Sequence, residues 1–425
     1  MDSVARGTVI NLGTRTLAML GVLLITAFTA RLGTEVQGTF ALFTSFEGVL
    51  LAMFSGFGIA LARRVSHHGD DPKALVSAIV LCCIGLGVLS GLLLWAVARH
   101  GPPAYASLWI LACAAPLLLL TPNLAGLWLG AGRMAPMAGL SLAPPWIALV
   151  LLASLWAADR AGLGAVLGAW VAAKAVVAGV LLWLLWRGAR LAFPGWAAMR
   201  AELPFIATIG LTNLVSLLNY RVGLFVIERT LGLAATGVYS IAVVVAELLW
   251  FVSSALTQAV YGRIGTPDRA LAAATTVRAL QLSVAALVLA APLLWGVAQL
   301  VVPRFLGPAY AESLLPLALL LPGVLVFGAA SALSAYFTNH AGRPQVPARV
   351  AALSLLTNGV MALLLVPRWG MEGAALAASA SYTGAVAVLA LLFARHAGLP
   401  LAQVVWPGPQ LWRDLRAVAF RAGGT

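Results

Sequence analysis

Long apolar runs dominate this chain and restrict the class of fold that it can adopt. A helix needs roughly 20 apolar residues to cross the hydrocarbon core of a bilayer. Backbone polar groups must be paired inside lipid, so runs of this length predict helices. The sequence predicts an all-α membrane protein of about 12 transmembrane helices, with spans at residues 7–31, 37–62, 74–98, 105–130, 136–157, 163–186, 204–228, 235–262, 277–302, 312–338, 347–366 and 372–394.

Charge is scarce, which excludes a water-soluble fold. Charged residues make up 9% of the chain, against roughly 25% in a typical soluble domain. The net charge of +13 would suit nucleic acid in a soluble protein. Here the charges stand singly at the ends of the apolar runs. We therefore expect membrane lipids, and no nucleic acid, as partners of this chain.

The positions of the lysines and arginines predict an orientation. With the N-terminus in the cytoplasm, 17 of the 26 fall in cytoplasmic segments, 6 in outside segments and 3 within spans. Membrane proteins carry this excess on the cytoplasmic side. The sequence predicts a multi-pass protein of the bacterial inner membrane with both termini cytoplasmic. The first run is too long for a cleaved signal peptide and is predicted to be a retained span.

The chain repeats itself. Leu-Gly followed by Gly-x-aromatic occurs at residues 32–40 and again at 231–239, an offset of 199. Ala-Gly-Arg occurs at 131–133 and at 341–343, an offset of 210. Each half has six spans, an even number, so the two halves share one orientation in the membrane. Transporters often place a substrate site between such repeats. The predicted domains are a six-helix lobe at 1–190, a cytoplasmic linker at 191–203, a six-helix lobe at 204–396 and an interfacial cytoplasmic tail at 397–425.

Five charged residues stand out in the interiors of the predicted spans, away from their ends: Arg15, Glu47, Lys174, Arg221 and Glu247. Burying a charge in a bilayer is costly, so such groups face a water-filled cavity or a partner. Four of the five lie on spans 1, 2, 7 and 8, one arginine and one glutamate in each half. We infer that these four spans line a shared central cavity. Lys174 has no counterpart in the second half and no obvious acidic partner.

Two interpretations of these charges remain open. Arg15–Glu47 and Arg221–Glu247 could be ion pairs that only fix helix packing. Alternatively, the cations hold an anionic ligand in the cavity, and a pair opens when the ligand arrives. Lys174 either faces the cavity or lies within the helix bundle, where its charge and hydrogen bonds are satisfied by neighbouring groups.

Polar residues at helical spacing extend this candidate site. Asn11 lies four residues before Arg15. Ser216 and Ser254 lie on the same faces as the candidates of spans 7 and 8. The full set of predicted substrate-binding residues is Arg15, Arg221, Lys174, Asn11, Asn213, Asn219, Tyr220, Trp250 and Gln258.

No catalytic arrangement is recognisable, so we expect a transporter rather than an enzyme, with no cofactor. Cys82, Cys83 and Cys113 have no metal-ligand spacing and fit small buried apolar positions. No phosphate-binding glycine-rich loop is present. The residues His67 to Asp71 fit an ordinary cytoplasmic loop.

Several motifs together resemble one known family. They are residues 30–42, 219–221 with 231–232, 237–240 with 247–248, 305–310, 341–344 and 366–375. In this order and spacing, over about residues 5–395, they resemble the Wzx-type O-antigen and exopolysaccharide flippases of the multidrug/oligosaccharidyl-lipid/polysaccharide (MOP) superfamily. The resemblance implies two six-helix lobes in a V that open alternately to either side of the membrane.

The resemblance also implies a substrate, an undecaprenyl-pyrophosphate-linked oligosaccharide, held in a cationic lumen. We carry the pyrophosphate-binding role over to Arg15, Arg221 and Lys174. Polysaccharide polymerase and glycosyltransferases of the same pathway are implied partners. From their depth alone, Glu47 and Glu247 are candidates to exchange H⁺ or Na⁺ as the coupling ion.

Three other functions would leave different features in the sequence. An ion-coupled exporter of drugs or organic cations from the same superfamily would call for a net acidic cavity. A major facilitator would have a long central loop, which this chain lacks. A membrane glycosyltransferase or polymerase usually needs a large outside loop, and every outside loop here is short.

Overall fold

The computed structural model describes residues 3–68, 72–188 and 190–406, leaving out the side chains of residues 3–12, 67, 68, 134, 259 and 262. Across these ranges the regular structure is helical throughout. The α-helices are α1 (Ser3–Arg31), α2 (Thr34–Phe54), α3 (Gly56–His68), α4 (Lys73–His100), α5 (Leu108–Leu118), α6 (Leu120–Leu124), α7 (Gly126–Gly130), α8 (Met134–Ala157), α9 (Leu163–Arg187), α10 (Trp196–Glu247), α11 (Leu249–Ile264), α12 (Arg269–Val301), α13 (Leu314–Ala329), α14 (Ser331–Ala335), α15 (Gln345–Ala397) and α16 (Leu401–Val405).

The described helices confirm the predicted number of spans. Ten continuous helical stretches are long and apolar enough to cross a membrane. Two of them, containing α10 and α15, are far longer than one span, and each is interrupted by one non-helical glycine, Gly232 or Gly370. Counting each of these two as a pair gives the twelve predicted spans, and the chain is a multi-pass membrane protein.

The repeated glycines occupy equivalent turns in the two halves. Gly33 and Gly232, related by the offset of 199, have φ values of 127° and 84°. Gly132 and Gly342, related by the offset of 210, have φ values of 66° and 60°. Only glycine adopts positive φ without a steric penalty. The sequence repeat therefore marks the places where the backbone reverses direction.

The chain divides into two compact units. The first comprises Met1–Leu217 and Leu233–Gly237, and the second comprises Leu218–Gly232 and Val238–Thr425. The segment 191–203, predicted to be a linker, lies within the first unit. Most of the predicted tail, from residue 407 onward, lies outside the described residues.

Close backbone contacts hold the first unit together. A Cβ atom added to Gly38 would overlap the carbonyl oxygen of Leu233, and one added to Gly237 would overlap that of Thr34. Near the predicted cytoplasmic end, Arg63 Nη2 lies 2.5 Å from Oε2 of the buried Glu202. The glycine contacts bring residues 233–237 of α10 against α2 and need small residues at the crossing point. The ion pair ties the start of α10 to α3.

Candidate functional site

Glu47 is the most deeply buried of the five ionisable residues predicted to lie within spans. Its side chain is 3% exposed. Trp170 Nε1 donates a hydrogen bond to Oε2 at 2.7 Å, and Lys174 Nζ donates to Oε1 at 2.5 Å. The Lys174 ammonium also lies 4.1 Å from the centroid of the Trp170 ring. Each oxygen of this buried carboxylate therefore has its own donor, which is the condition for tolerating a buried charge.

Trp170 and Lys174 reach the same carboxylate because they are four residues apart on α9 and share one face. The expectation that Lys174 has no acidic partner is wrong. Its partner Glu47 is 127 positions away in the sequence, and only the packing of α9 near α2 brings the two together. The charge of Lys174 is matched in this structure, so this residue does not present a free cation to a ligand.

Arg15 lies on an exposed part of α1, and no ion pair to it is found within the described ranges. The predicted alternative of an Arg15–Glu47 pair is therefore wrong. Helix register explains why. With the repeat offset of 199, the residue of the first half that is equivalent to Arg221 is Val22. Val22 lies seven residues after Arg15, a distance of roughly 10 Å along a helix. The two arginines are not equivalent positions of the repeat.

The predicted pair between Arg221 and Glu247 is present in the second unit. Arg221 Nη1 lies 3.0 Å from Glu247 Oε1, and Nη2 donates to Oε2 at 3.3 Å. The two side chains are 23% and 24% exposed. Arginine pairs with carboxylates and phosphates through two parallel contacts of this kind. Because about a quarter of each side chain is exposed, the pair is not sealed inside the fold.

Aromatic rings cluster beside this pair, within the second unit. The ring centroid of Tyr220 lies 4.7 Å from that of Trp250, 5.8 Å from that of Phe327 and 6.4 Å from that of Tyr382. Tyr220, Glu247, Trp250 and Tyr382 line a cavity in which the centre of a water molecule can reach about 20 Å³. That volume holds one or two waters, so the rings would have to part to admit a larger polar group.

A buried polar network lies behind the rings. Asn219 is 1% exposed and Asn358 is 0% exposed. Asn219 Nδ2 donates to Ser354 Oγ at 3.0 Å, and Asn358 Nδ2 donates to the Asn219 carbonyl at 2.9 Å. The Tyr382 hydroxyl donates to the same carbonyl at 3.2 Å. Asn219, predicted to bind substrate, joins α10 to α15 inside the fold.

The remaining predicted residues do not all converge. Asn213 Nδ2 donates to Ser55 Oγ at 2.8 Å within the first unit, whereas Tyr220 belongs to the second unit. Trp250 Nε1 donates to the carbonyl of Val324 at 3.3 Å. Gln258 is exposed on α11. The side chain of Asn11 lies outside the described residues.

Among the residues that the structure describes, no group of three or more His, Cys, Asp or Glu could hold a metal ion. Cys83 is buried as expected, Cys82 is half-buried and Cys113 is exposed. The exposure of Cys113 corrects the expectation that all three are buried, because a helix in lipid turns apolar residues outward. The side chains of the loop at residues 67–71 lie outside the described part.

No protein-family model matches this sequence, and no curated protein matches it. The fold does match solved structures. One is the inward-facing conformation of a MATE multidrug resistance transporter of the MOP superfamily, with a TM-score of 0.75 and 14% identity over 92% of this chain and 98% of that chain. The chain shares the fold of this MOP transporter.

Two further structures bear on what the MOP fold can do. The lipid II flippase MurJ, in an inward closed conformation, matches with a TM-score of 0.68 and 14% identity over 94% of this chain and 89% of that chain. A MOP superfamily transporter from Pyrococcus furiosus, described by the reversed polarity of its binding pocket, matches with a TM-score of 0.66 and 13% identity over 94% of this chain and 96% of that chain. The MOP fold thus occurs in a drug exporter and in a lipid flippase, so the substrate has to be argued from the residues of the site.

Proposed function

We propose that this protein is a flippase that moves an undecaprenyl-pyrophosphate-linked oligosaccharide from the cytoplasmic to the outer leaflet of a bacterial inner membrane. The observation that carries the proposal is the partly exposed, two-point Arg221–Glu247 pair beside the rings of Tyr220, Trp250 and Tyr382. A guanidinium binds phosphate in the geometry that it uses for carboxylate. Aromatic rings offer broad apolar faces with polar edges, which suit a sugar ring.

The MOP fold supports this assignment, since one protein with the same fold is a lipid II flippase. The polar head group would cross along the protein while the polyprenyl tail remains in lipid. Enzymes that assemble and polymerise the saccharide, namely glycosyltransferases and a polysaccharide polymerase, are the expected partners. Membrane lipids are the surrounding solvent.

A second candidate is an exporter of organic cations, as in the MATE proteins that share the fold. The observation that favours it is a carboxylate, Glu247, beside several aromatic rings, because cations bind to aromatic faces. Arg221 argues against it. The guanidinium lies 3.0 Å from the carboxylate and opposes the approach of a second cation.

The proposal predicts that removing the charged pair strongly slows flipping. Arg221→Gln/Glu247→Gln deletes both charges and leaves no unpaired acid, so the fold should survive. We expect flipping of a lipid-linked oligosaccharide in proteoliposomes to fall by at least about tenfold, the loss of one charge-assisted contact. The matched control is Arg160→Gln, an exposed arginine outside the site, which should flip at the wild-type rate.

The same assay separates the alternatives. Wild-type protein that exports an organic cation and flips no lipid-linked saccharide would replace this proposal with the second candidate. Flipping that survives in the double variant would make the Arg221–Glu247 pair a packing feature. Arg15→Gln is assayed beside it, because Arg15 was predicted to bind pyrophosphate and carries an unmatched charge among the described residues.

Glu47 and Glu247 remain the proposed coupling residues, with H⁺ or Na⁺ as the ion. Each carboxylate is paired with a cation, so binding of an ion would compete with that pair. In a protein carrying Glu47→Gln, Lys174→Met, Arg221→Gln and Glu247→Gln, any residual flipping should no longer respond to an imposed pH or Na⁺ gradient. Residual flipping that still follows either gradient would remove both glutamates from the coupling mechanism.

A further inference from the structure

An apolar groove lies at the surface of the second unit, between α12 and α13. The centre of a water molecule can reach about 420 Å³ of it, a volume within the range of roughly 300–1,000 Å³ that ligand sites have. Both helices belong to stretches long and apolar enough to cross a membrane. Val288 and Trp295, which line the groove, are exposed, so it opens where hydrocarbon surrounds the span.

One wall of the groove is a stripe of residues on α12. Val288, Ala291, Pro292 and Trp295 are spaced i, i+3, i+4 and i+7, which places them on one helix face. A proline inside a helix has no N–H, and its ring pushes against the carbonyl four residues earlier, so it bends the helix. The indole N–H of Trp295 donates to the carbonyl of Leu314 at 3.4 Å and is not available to a ligand.

The other wall is a stripe with the same spacing on α13, formed by Ala318, Leu321, Pro322 and Leu325. Its proline occupies the same place in the stripe as the proline of α12. Among the eight side chains that line the groove, none offers a free polar atom to water. Apolar cavities stay dry, so a hydrocarbon chain is the occupant that fits.

Acyl chains of the bilayer compete with any other chain for this groove. Moving a chain out of the bilayer gives no hydrophobic gain, because lipid tails are already as apolar as leucine. Affinity then depends on packing contacts and on the conformational entropy that the chain loses. A polyprenyl chain has a double bond and a methyl branch in every isoprene unit, so it is stiffer than a saturated acyl chain. It loses less entropy when held in a fixed groove and is therefore preferred.

Helix α13 separates the groove from the candidate site. Leu320 and Val324 line the cavity beside the Arg221–Glu247 pair. The residues that directly follow them, Leu321 and Leu325, line the groove. The cavity and the groove therefore lie at the same depth on two faces of one helix, roughly 10 Å apart, which is the diameter of a helix.

We propose that the groove between α12 and α13 binds the polyprenyl chain of the lipid that this protein transports. This inference rests on the proposed function, since that function supplies a lipid with such a tail. The tail stays at the lipid-facing side of α13, and the head group is held on the other face of the same helix. Binding in the groove keeps the lipid beside the second unit and leaves the candidate site open to the head group.

The test is photocrosslinking of lipid to the full-length protein in phosphatidylcholine nanodiscs. p-Benzoylphenylalanine replaces either Val288 in the groove or Leu353, an exposed residue of α15 outside it. Equal amounts of polyprenyl phosphate and phosphatidic acid are compared, because both carry a phosphate monoester and only their tails differ. At Val288 the polyprenyl lipid should crosslink at least about tenfold more than phosphatidic acid. At Leu353 the two yields should be alike, and equal yields at Val288 would overturn the proposal.

A second variant fills the groove. Ala318→Trp should weaken binding of polyprenyl phosphate by at least about tenfold and raise the concentration of lipid-linked oligosaccharide needed for half-maximal flipping. The matched control is Ala352→Trp, the same change at an exposed alanine of α15, which should stay within about twofold of wild type. A folded Ala318→Trp protein that binds as wild type does would contradict the site. Size exclusion reports folding, and the Val288 crosslink decides the question if Ala318→Trp does not fold.

The groove and the proposed function fail in different ways. Wild-type protein that flips a lipid-linked saccharide, but whose Val288 position shows no preference for the polyprenyl lipid, would overturn the groove alone. Protein that shows this preference at Val288 but flips no saccharide would overturn the proposed function and leave a polyprenyl-binding groove.

Discussion

Lys174→Met should destabilise the protein by about 3–5 kcal/mol, because it leaves the carboxylate of Glu47 buried without its cation. Glu47 is 3% exposed and would keep only the hydrogen bond from Trp170. The measurement is the free energy of unfolding in detergent, or the midpoint of thermal unfolding. Arg187→Met, on the same helix, is the control, because Arg187 is exposed and only stacks on Trp183 at 5.1 Å.

A double variant separates pairing from simple loss of a side chain. Glu47→Gln with Lys174→Met removes both charges and keeps an oxygen to accept from Trp170, so most of the lost stability should return. This recovery is expected because replacing a whole buried pair is often neutral, whereas breaking one is costly. Lys174→Met protein as stable as wild type would mean that Lys174 does not stabilise the buried carboxylate of Glu47.

Gly237→Ala should also destabilise the first unit, by about 1–3 kcal/mol or more, because the new methyl group would overlap the carbonyl oxygen of Thr34. That oxygen is part of a helix backbone and cannot turn aside. Gly38→Ala meets the carbonyl of Leu233 in the same way. The midpoint of thermal unfolding, followed by size exclusion of heated samples, reports the change.

The control is Gly85→Ala on α4, since a Cβ there would meet nothing within 4 Å. Alanine is a better helix former than glycine by about 1 kcal/mol, so this variant should be as stable as wild type or more stable. The three substitutions are chemically identical and all lie inside helices. Gly237→Ala protein that is as stable as Gly85→Ala protein would show that the contact at Thr34 is not tight.

The spans and the repeat could be predicted from the sequence because both depend on local properties. The length of an apolar run sets whether a helix crosses the bilayer, and the described helices bear out twelve spans. The paired glycines at 33 and 232 and at 132 and 342 adopt positive φ in both halves. A turn of that kind needs glycine whatever the rest of the chain does.

The composition of the candidate site was harder to predict. The ion pair of Arg221 with Glu247 was among the alternatives, whereas the pairing of Glu47 with Lys174 was missed. Trp170 lies four residues before Lys174, and Ser354 lies four residues before Asn358. Such pairs of polar or amphipathic residues, spaced four apart within an apolar run, are the sequence features that could have indicated these contacts. They show which residues share a face, but not which helix that face meets.

The sequence by itself determined that this chain is an all-α membrane protein of twelve spans in two repeated halves. The deciding features were the length of the apolar runs, the scarcity of charge and the glycine turns, and each of them acts over a few residues. Only the tertiary structure decided that Lys174 rather than Arg15 neutralises Glu47, and that Tyr220, Trp250 and Tyr382 cluster beside Arg221. Such contacts join residues far apart in the chain, and they depend on the rotation and register of packed helices. Arg15 lies seven residues from the position equivalent to Arg221, roughly 10 Å along a helix, and that distance is enough to change its partners.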